Sequence, residues 1–235
     1  MCLGGVAYSA DRDLVVGVED IAYLPAYSAE GGQYSGTARL ILDRFAADRG
    51  YRMVYRPLPI KRLFAELAGG GIDLKFPDHP QWNQAAKTAV EVRYSQPVIR
   101  YVDGLMVLPS RLGGEVTVMG SVTGFTPFAW LDRIKDGRVQ LRETANPDDL
   151  LQQVAKDRLH GAYMSVAAAH YRLDSVLGLP GALAFDPTLP HSRDAYRLSS
   201  VKHPAVIAEF DAWMTANADW IKATIASTGA EKGIE

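Results

Sequence analysis

The chain has 235 residues, with 25 Lys+Arg against 27 Asp+Glu for a formal net charge of −2, and 48% of it is hydrophobic. That is the composition of an ordinary globular protein with material for one large core or two smaller ones. The near-neutral charge excludes a broad nucleic-acid footprint or a polybasic membrane patch. The one cysteine excludes an intrachain disulfide and a cysteine-rich zinc site, and no run reaches the roughly 18–20 apolar residues of a membrane helix.

Residues 1–10 are small or apolar and carry no charge. They read either as the remnant of a secretory signal peptide or as a disordered arm. Cys2 falls inside them. Asp13 to Val18 is a nearly continuous β-branched run, as in a strand buried on both faces. It ends in a polar, aromatic loop with Glu19, Asp20, Tyr23, Pro25 and Tyr27. Ser35 is a candidate N-cap for a helix from about Gly36 to Asp48, whose apolar face is Ala38, Ile41, Leu42 and Phe45. Gly50 stops it. Tyr51 to Leu58 alternates as a strand, Pro59 opens a second helix, and Gly69-Gly70-Gly71 breaks it before a strand at Ile72 to Phe76. This is a β-α-β-α-β march, the pattern of a parallel sheet with crossover helices.

Two strand-like runs follow, Val90 to Tyr94 and Tyr101 to Leu108, and Pro109 with Gly113-Gly114 then punctuates the chain. A second march has strands at Val116 to Met119, Arg138 to Leu141 and Gly161 to Met164. Thr126-Pro127 opens one helix, and Asn146-Pro147-Asp148-Asp149 starts another with an N-cap, a proline and early acids. Ser165 begins an Ala-rich helix toward Leu177. Tyr196 to Ser200 is strand-like and recrosses, and Ala205 to Met214 starts a helical tail. The predicted division is therefore 11–107 plus 196–235 as one lobe and 108–195 as a second. Ligands of such open sheets sit beyond the carboxyl ends of the strands, so the loops after Val18, Phe76, Met119 and Met164 are the expected site.

Several residues there carry chemistry. Lys75 stands within an apolar strand, where an ammonium needs a partner. It either reaches the cleft as an anion anchor or pairs with Glu19 or Asp20. Phe76-Pro77-Asp78-His79-Pro80-Gln81-Trp82 is stiffened by two prolines; Asp78 offers a carboxylate, and Trp82 offers either a stacking face or lobe packing. In the second half, Gly124, Phe125 and Thr126 form a turn into a helix, which either binds an anion with its free amides or is a plain cap. Tyr163 and Ser165 line the same wall. No nucleophile elbow, P-loop or metal-binding histidine pair is present.

The order of these pieces resembles the bacterial periplasmic solute-binding proteins of family 3, the polar-amino-acid type that serves ABC importers. The likeness is carried by the Val15-Val16-Gly17-Val18 strand with its acidic-aromatic loop, Gly71-Ile72-Asp73, and Tyr94-Ser95-Gln96-Pro97. The resemblance implies a type II periplasmic binding protein: an α/β chain of two lobes, two small mostly parallel sheets flanked by helices, with a cleft between. It implies a periplasmic, monomeric protein whose partners are a small-molecule ligand and an ABC permease or a sensor. No catalytic residue, metal or cofactor is expected. The expected ligand contacts are Glu19, Asp20, Tyr23, Lys75, Phe76, Asp78, Trp82, Gly124, Phe125, Thr126, Tyr163 and Ser165, around a small polar or carboxylated solute. The alternatives are a small dehydratase on the same scaffold and a soluble sensory module. Two departures matter. The family's arginine for an α-carboxylate has no match in Gln81 to Thr88, where Lys87 is the nearest cation, and the family's aspartate for an α-ammonium is replaced by Ser165.

Overall fold

The protein is described here over residues 12–234 from a computed structural model, and the expectations for residues 1–10 and Cys2 lie outside the described residues. Strand β1 (Asp13–Glu19) is followed by a small hairpin, β2 (Ala22–Tyr23) and β3 (Tyr27–Ser28). Helix α1 (Thr37–Arg49), β4 (Arg52–Leu58), α2 (Ile60–Ala68) and β5 (Leu74–Asp78) complete the first march. β1 pairs in parallel with β4 on one side and β5 on the other, so the ends Glu19, Leu58 and Asp78 emerge on one rim. The apolar periodicity of α1 does what it predicts: Ala38, Ile41, Leu42 and Phe45 are all buried. Gly50 closes the helix in the left-handed region at φ 72°, its N–H donating to the Ala46 carbonyl.

The helix start differs from expectation. Gly36, not Ser35, occupies the N-cap position, at φ 96°, and a Cβ there would lie 2.8 Å from the Tyr27 backbone. Only glycine lets α1 enter so close to the hairpin. Ser35 instead exchanges backbone hydrogen bonds with Ser28.

The chain continues through α3 (Gln84–Lys87), β6 (Arg93–Tyr94) and the long strand β7 (Ile99–Val107). The second march is β8 (Val118–Val122), α4 (Leu131–Lys135), β9 (Gln140–Thr144), α5 (Pro147–Ala155), β10 (Gly161–Ser165) and α6 (Val166–Tyr171). β11 (Ala184–Phe185) and the long β12 (Ser192–Ser200) lead to α7 (Pro204–Ala216) and α8 (Ala218–Thr228). β8 lies parallel between β9 and β10, so the second rim is formed by the ends Val122, Thr144 and Ser165. Asn146 caps α5 as predicted, its side chain accepting from Asp149 N–H at 2.8 Å. The helix expected at Thr126-Pro127 is only a short 3₁₀ turn, Phe128–Trp130, leading into α4.

The strand order is β4-β1-β5-β12-β7-β10-β8-β9. The two marches are thus joined through β7 and β12, which run antiparallel. β12 pairs with β7 from Ser192 to Tyr196 and with β5 at Arg197 and Ser199. β7 pairs with β10 from Asp103 to Met106. β12 thus belongs to both half-sheets, and β7 joins it to β10 of the second. No helix among the described residues is long and apolar enough to cross a membrane.

Candidate functional site

The parallel strands of each march point their carboxyl ends at the other march, and a cavity lies where the two rims meet. Its walls come from both: Glu19, Tyr23 and Tyr27 after β1, Ile60 and Phe64 on α2, Trp82 after β5, and Gly124, Phe125 and Thr126 after β8. Its floor is Asp103 on β7, Tyr163 on β10 and Tyr196 on β12. The space a water's centre can occupy is about 20 Å³, which holds about one water. A second hollow of about 210 Å³ shares Trp82, Asp103, Thr126 and Tyr163 with it and extends toward His79, Tyr101 and Ser192. A larger groove of about 830 Å³ runs along α7 and α8 beside Gln96, Pro97 and Arg100, away from the residues that line the cavity.

The rims touch across the cavity. The Tyr23 hydroxyl accepts a hydrogen bond from the Ser165 N–H at 2.7 Å, joining the β2–β3 hairpin to the start of α6. Gly124, at φ 91°, packs against Ile60 of α2, with 3.0 Å between its missing Cβ and Ile60 Cβ. Tyr23 meets Phe125 edge-on at 5.3 Å. The two halves are therefore in contact around the cavity.

The rings form a continuous set. Tyr101 stacks on Tyr196 at 4.6 Å, Trp82 lies 5.9 Å from Tyr101 and 6.0 Å from Tyr196, and Tyr27 is 5.7 Å from Tyr196. Burial pushes the Tyr23, Tyr27 and Tyr196 hydroxyls far above their ordinary range, so they stay neutral donors and acceptors.

Two carboxylates share this aromatic cavity. Glu19 is 2% exposed and accepts from the Tyr27 hydroxyl at 2.7 Å. Burial raises its pKa, against the opposing pull of the Lys75 charge and the Tyr27 bond. The Asp103 carboxylate has no hydrogen-bond or ion-pair partner among the described residues. Burial, with the negative charge of Glu19 added, pushes its pKa up to about 7.

The lysines are elsewhere. Lys75 is wholly buried; its ammonium donates to the Pro77 carbonyl, lies 3.6 Å from Asp78 Oδ1 and sits 4.3 Å over the Phe64 ring. Lys87 donates to the His79 carbonyl at 2.7 Å and lies 3.5 Å from the same Asp78 oxygen. Asp78 also accepts from Ser199 Oγ and His79 N, both at 2.7 Å. This is a closed, buried charge network behind the cavity. Of the two readings left open for Lys75, pairing fits the geometry, but the partner is Asp78 rather than Glu19 or Asp20.

The predicted residues therefore separate. Glu19, Tyr23, Trp82, Gly124, Phe125, Thr126 and Tyr163 line the cavity. Lys75, Phe76 and Asp78 lie beneath it in the core, Asp20 is exposed at its edge, and Ser165 contributes its backbone N–H to Tyr23. Two amides of the Gly124–Phe125–Thr126 turn are already engaged: Gly124 N–H goes to Glu143 Oε1 at 3.0 Å and Phe125 N–H to the Val122 carbonyl. Asp103 and Tyr196 were not among the expected contacts. Asp103 did carry a signal, an acid inside the otherwise apolar run of β7.

No protein-family model matches the sequence, and no curated protein sequence does. Solved structures do match in shape. The arginine-, lysine-, histidine-binding protein ArtJ from Geobacillus stearothermophilus is 15% identical, with 92% of this chain and 94% of that one covered at a TM-score of 0.69. The ancestral amino acid-binding protein AncCDT-1, a precursor of cyclohexadienyl dehydratase, is 15% identical over 93% and 96% at 0.71. A histidine kinase sensor domain with similarity to periplasmic binding proteins is 16% identical over 93% and 97% at 0.72. At these identities the likeness is one of fold, and the fold is that of the type II periplasmic binding proteins.

Proposed function

We propose that this is a periplasmic solute-binding protein that closes its two lobes on a small ligand and delivers it to an ABC importer. The observation that carries the reading is the cavity itself, built by loops from both marches and bridged by the Tyr23–Ser165 hydrogen bond. A solute seated there is touched from both sides, so it favours the closed arrangement by its differential affinity for it. The proposed solute contacts are Glu19, Tyr23, Trp82, Thr126 and Tyr163, with Asp103 and Tyr196 added from the joining strands. The proposed lobes keep the division expected from the sequence, 11–107 plus 196–235 and 108–195. The structural neighbours that bind amino acids support transport, and the sensor-domain neighbour supports a signalling version of the same binding event.

One observation favours a second reading. A carboxyl with a pKa of about 7 inside an aromatic cavity is matched to proton transfer near neutrality, and AncCDT-1 is a precursor of a dehydratase. Thermal shift with a panel of small metabolites, followed by product analysis of every hit, separates the two. A ligand that binds only the closed form raises the melting temperature by mass action. A rise without consumption of the solute is expected. Consumption would place the protein with the enzymes, and a panel with no hit would remove the binding reading.

A further inference from the structure

We propose that the solute is a small organic monocation without a carboxylate, its cationic head seated between the Asp103 carboxylate and the rings of Tyr23, Trp82 and Tyr196. This deepens the solute-binding reading and rests on it.

Three features of the cavity carry the inference. The first is charge. Behind the wall, Lys75 and Lys87 flank Asp78, and Lys75 also offsets the buried Glu19. Asp194 is bonded to His79 at 2.8 Å and lies 3.7 Å from Arg197. Asp103 alone among the acids facing the two hollows has no cation or donor beside it among the described residues. Asp103 is half-buried, and a carboxylate drawn partly out of water without a partner is costly; one positive charge from a ligand reduces that cost.

The second is the surface around Asp103. Neutral tyrosines and Trp82 line it, and aromatic rings attract ammonium groups through the ring quadrupole. The third is what the cavity withholds. No lysine or arginine among the described residues lines the inner cavity. The amides of Gly124 and Phe125 are spent. Arg193, on the outer hollow, donates to the Ile234 carbonyl at 2.9 Å. In the inner cavity a ligand carboxylate would meet Glu19 and Asp103 and no counter-charge, a strong penalty in so enclosed a site. An α-amino acid is thereby excluded where its decarboxylated counterpart is accepted.

The test is isothermal titration calorimetry in slightly alkaline buffer with two matched pairs: choline against glycine betaine, and phenethylamine against L-phenylalanine. Each pair shares its ammonium and differs in the carboxylate. The amines should bind at least about tenfold more tightly than their carboxylated partners, and Asp103→Asn should weaken the amines by about tenfold or more without lowering the melting temperature of the free protein. Equal or tighter binding of the carboxylated partners overturns the inference, as does an Asp103→Asn variant that binds amines normally. So does the absence of heat from both amines at millimolar concentration. If only carboxylated or anionic solutes raise the melting temperature, the monocation falls while solute binding stands. If no solute does, both fall.

Discussion

The buried charge network behind the cavity makes the sharpest stability prediction. In Asp78→Asn the side chain keeps its shape and can still accept from Ser199, but two ammonium groups lose their counter-charge. Lys75 and Lys87 lie 3.6 Å and 3.5 Å from Asp78 Oδ1, and each attraction is worth about 4–5 kcal/mol at an effective dielectric constant of about 20. Losing both does not cost their sum, because a lysine can shed its proton instead; burial already lowers the pKa of Lys87, against the pull of Asp78. Breaking a buried pair by removing one partner costs about 3–5 kcal/mol. For a chain of this size each kcal/mol shifts Tm by about 2–4 °C, so a fall of roughly 6–20 °C is expected. Circular dichroism melts at neutral pH measure it. The double variant Lys75→Met with Asp78→Asn should recover a large part of the loss, since it removes a buried ammonium along with its acid. A single variant that melts within about 2 °C of the parent would refute the idea that these groups are charged and mutually dependent.

Further expectations can be checked in parallel. Asp103 titrates at about 7 when folded against an ordinary value near 3.8, so between these limits the folded state holds a proton that the unfolded chain has lost. Stability of the free protein should therefore fall as pH rises from about 4 to about 7 and level off above, with Glu19 adding the same sign; Tm measured across pH should lose much of this slope in Asp103→Asn. Gly36→Ala forces a side chain into a left-handed position 2.8 Å from the Tyr27 backbone, and should cost about 2 kcal/mol or more in urea unfolding. Asn146→Ala removes the cap of α5 and should cost about 1 kcal/mol, with no effect on ligand affinity. Trp82 is the tryptophan that lines the cavity, so Trp82→Phe should abolish ligand-induced changes in tryptophan fluorescence while Trp213→Phe should leave them.

The fold was legible because local signals agreed with the global plan. The β-branched run at Asp13 to Val18, the apolar stripe of α1, Gly50 and the Asn146 cap each specify an element and its boundary with no help from distant residues. The site was legible only in part, for a geometric reason. In β5 every residue from Leu74 to Asp78 is buried, so burial of Lys75 and Asp78 could not tell the cavity side from the core side. Their destination is set by Lys87 and Ser199, residues 9 to 121 positions farther along, and no local pattern encodes such pairings. The Gly124 turn misled similarly: its free amides are claimed by Glu143 and Val122, and the first of these arrives from β9. Asp103 was overlooked because β7 reads as a core strand, Ile99 to Val107, and the acid within it looks like an interruption. Tyr196 carries no signal at all, since an aromatic in a strand fits an ordinary core equally well.

The two strands that join the half-sheets have a consequence for the kinetics of ligand capture. In the proposed closure, with the halves swinging about β7 and β12, atoms on those strands move least and atoms on the rims move most. Asp103 and Tyr196 sit on these joining strands, while Tyr23 and Phe125 sit on opposite rims. On that proposal an arriving solute finds the first two already in place, and Asp103 acts on the association rate through its charge. The Tyr23–Ser165 latch forms only as the rims meet, so its removal should shorten the residence time and leave the association rate nearly unchanged. Recognition and retention are divided between the axis of the molecule and its edges.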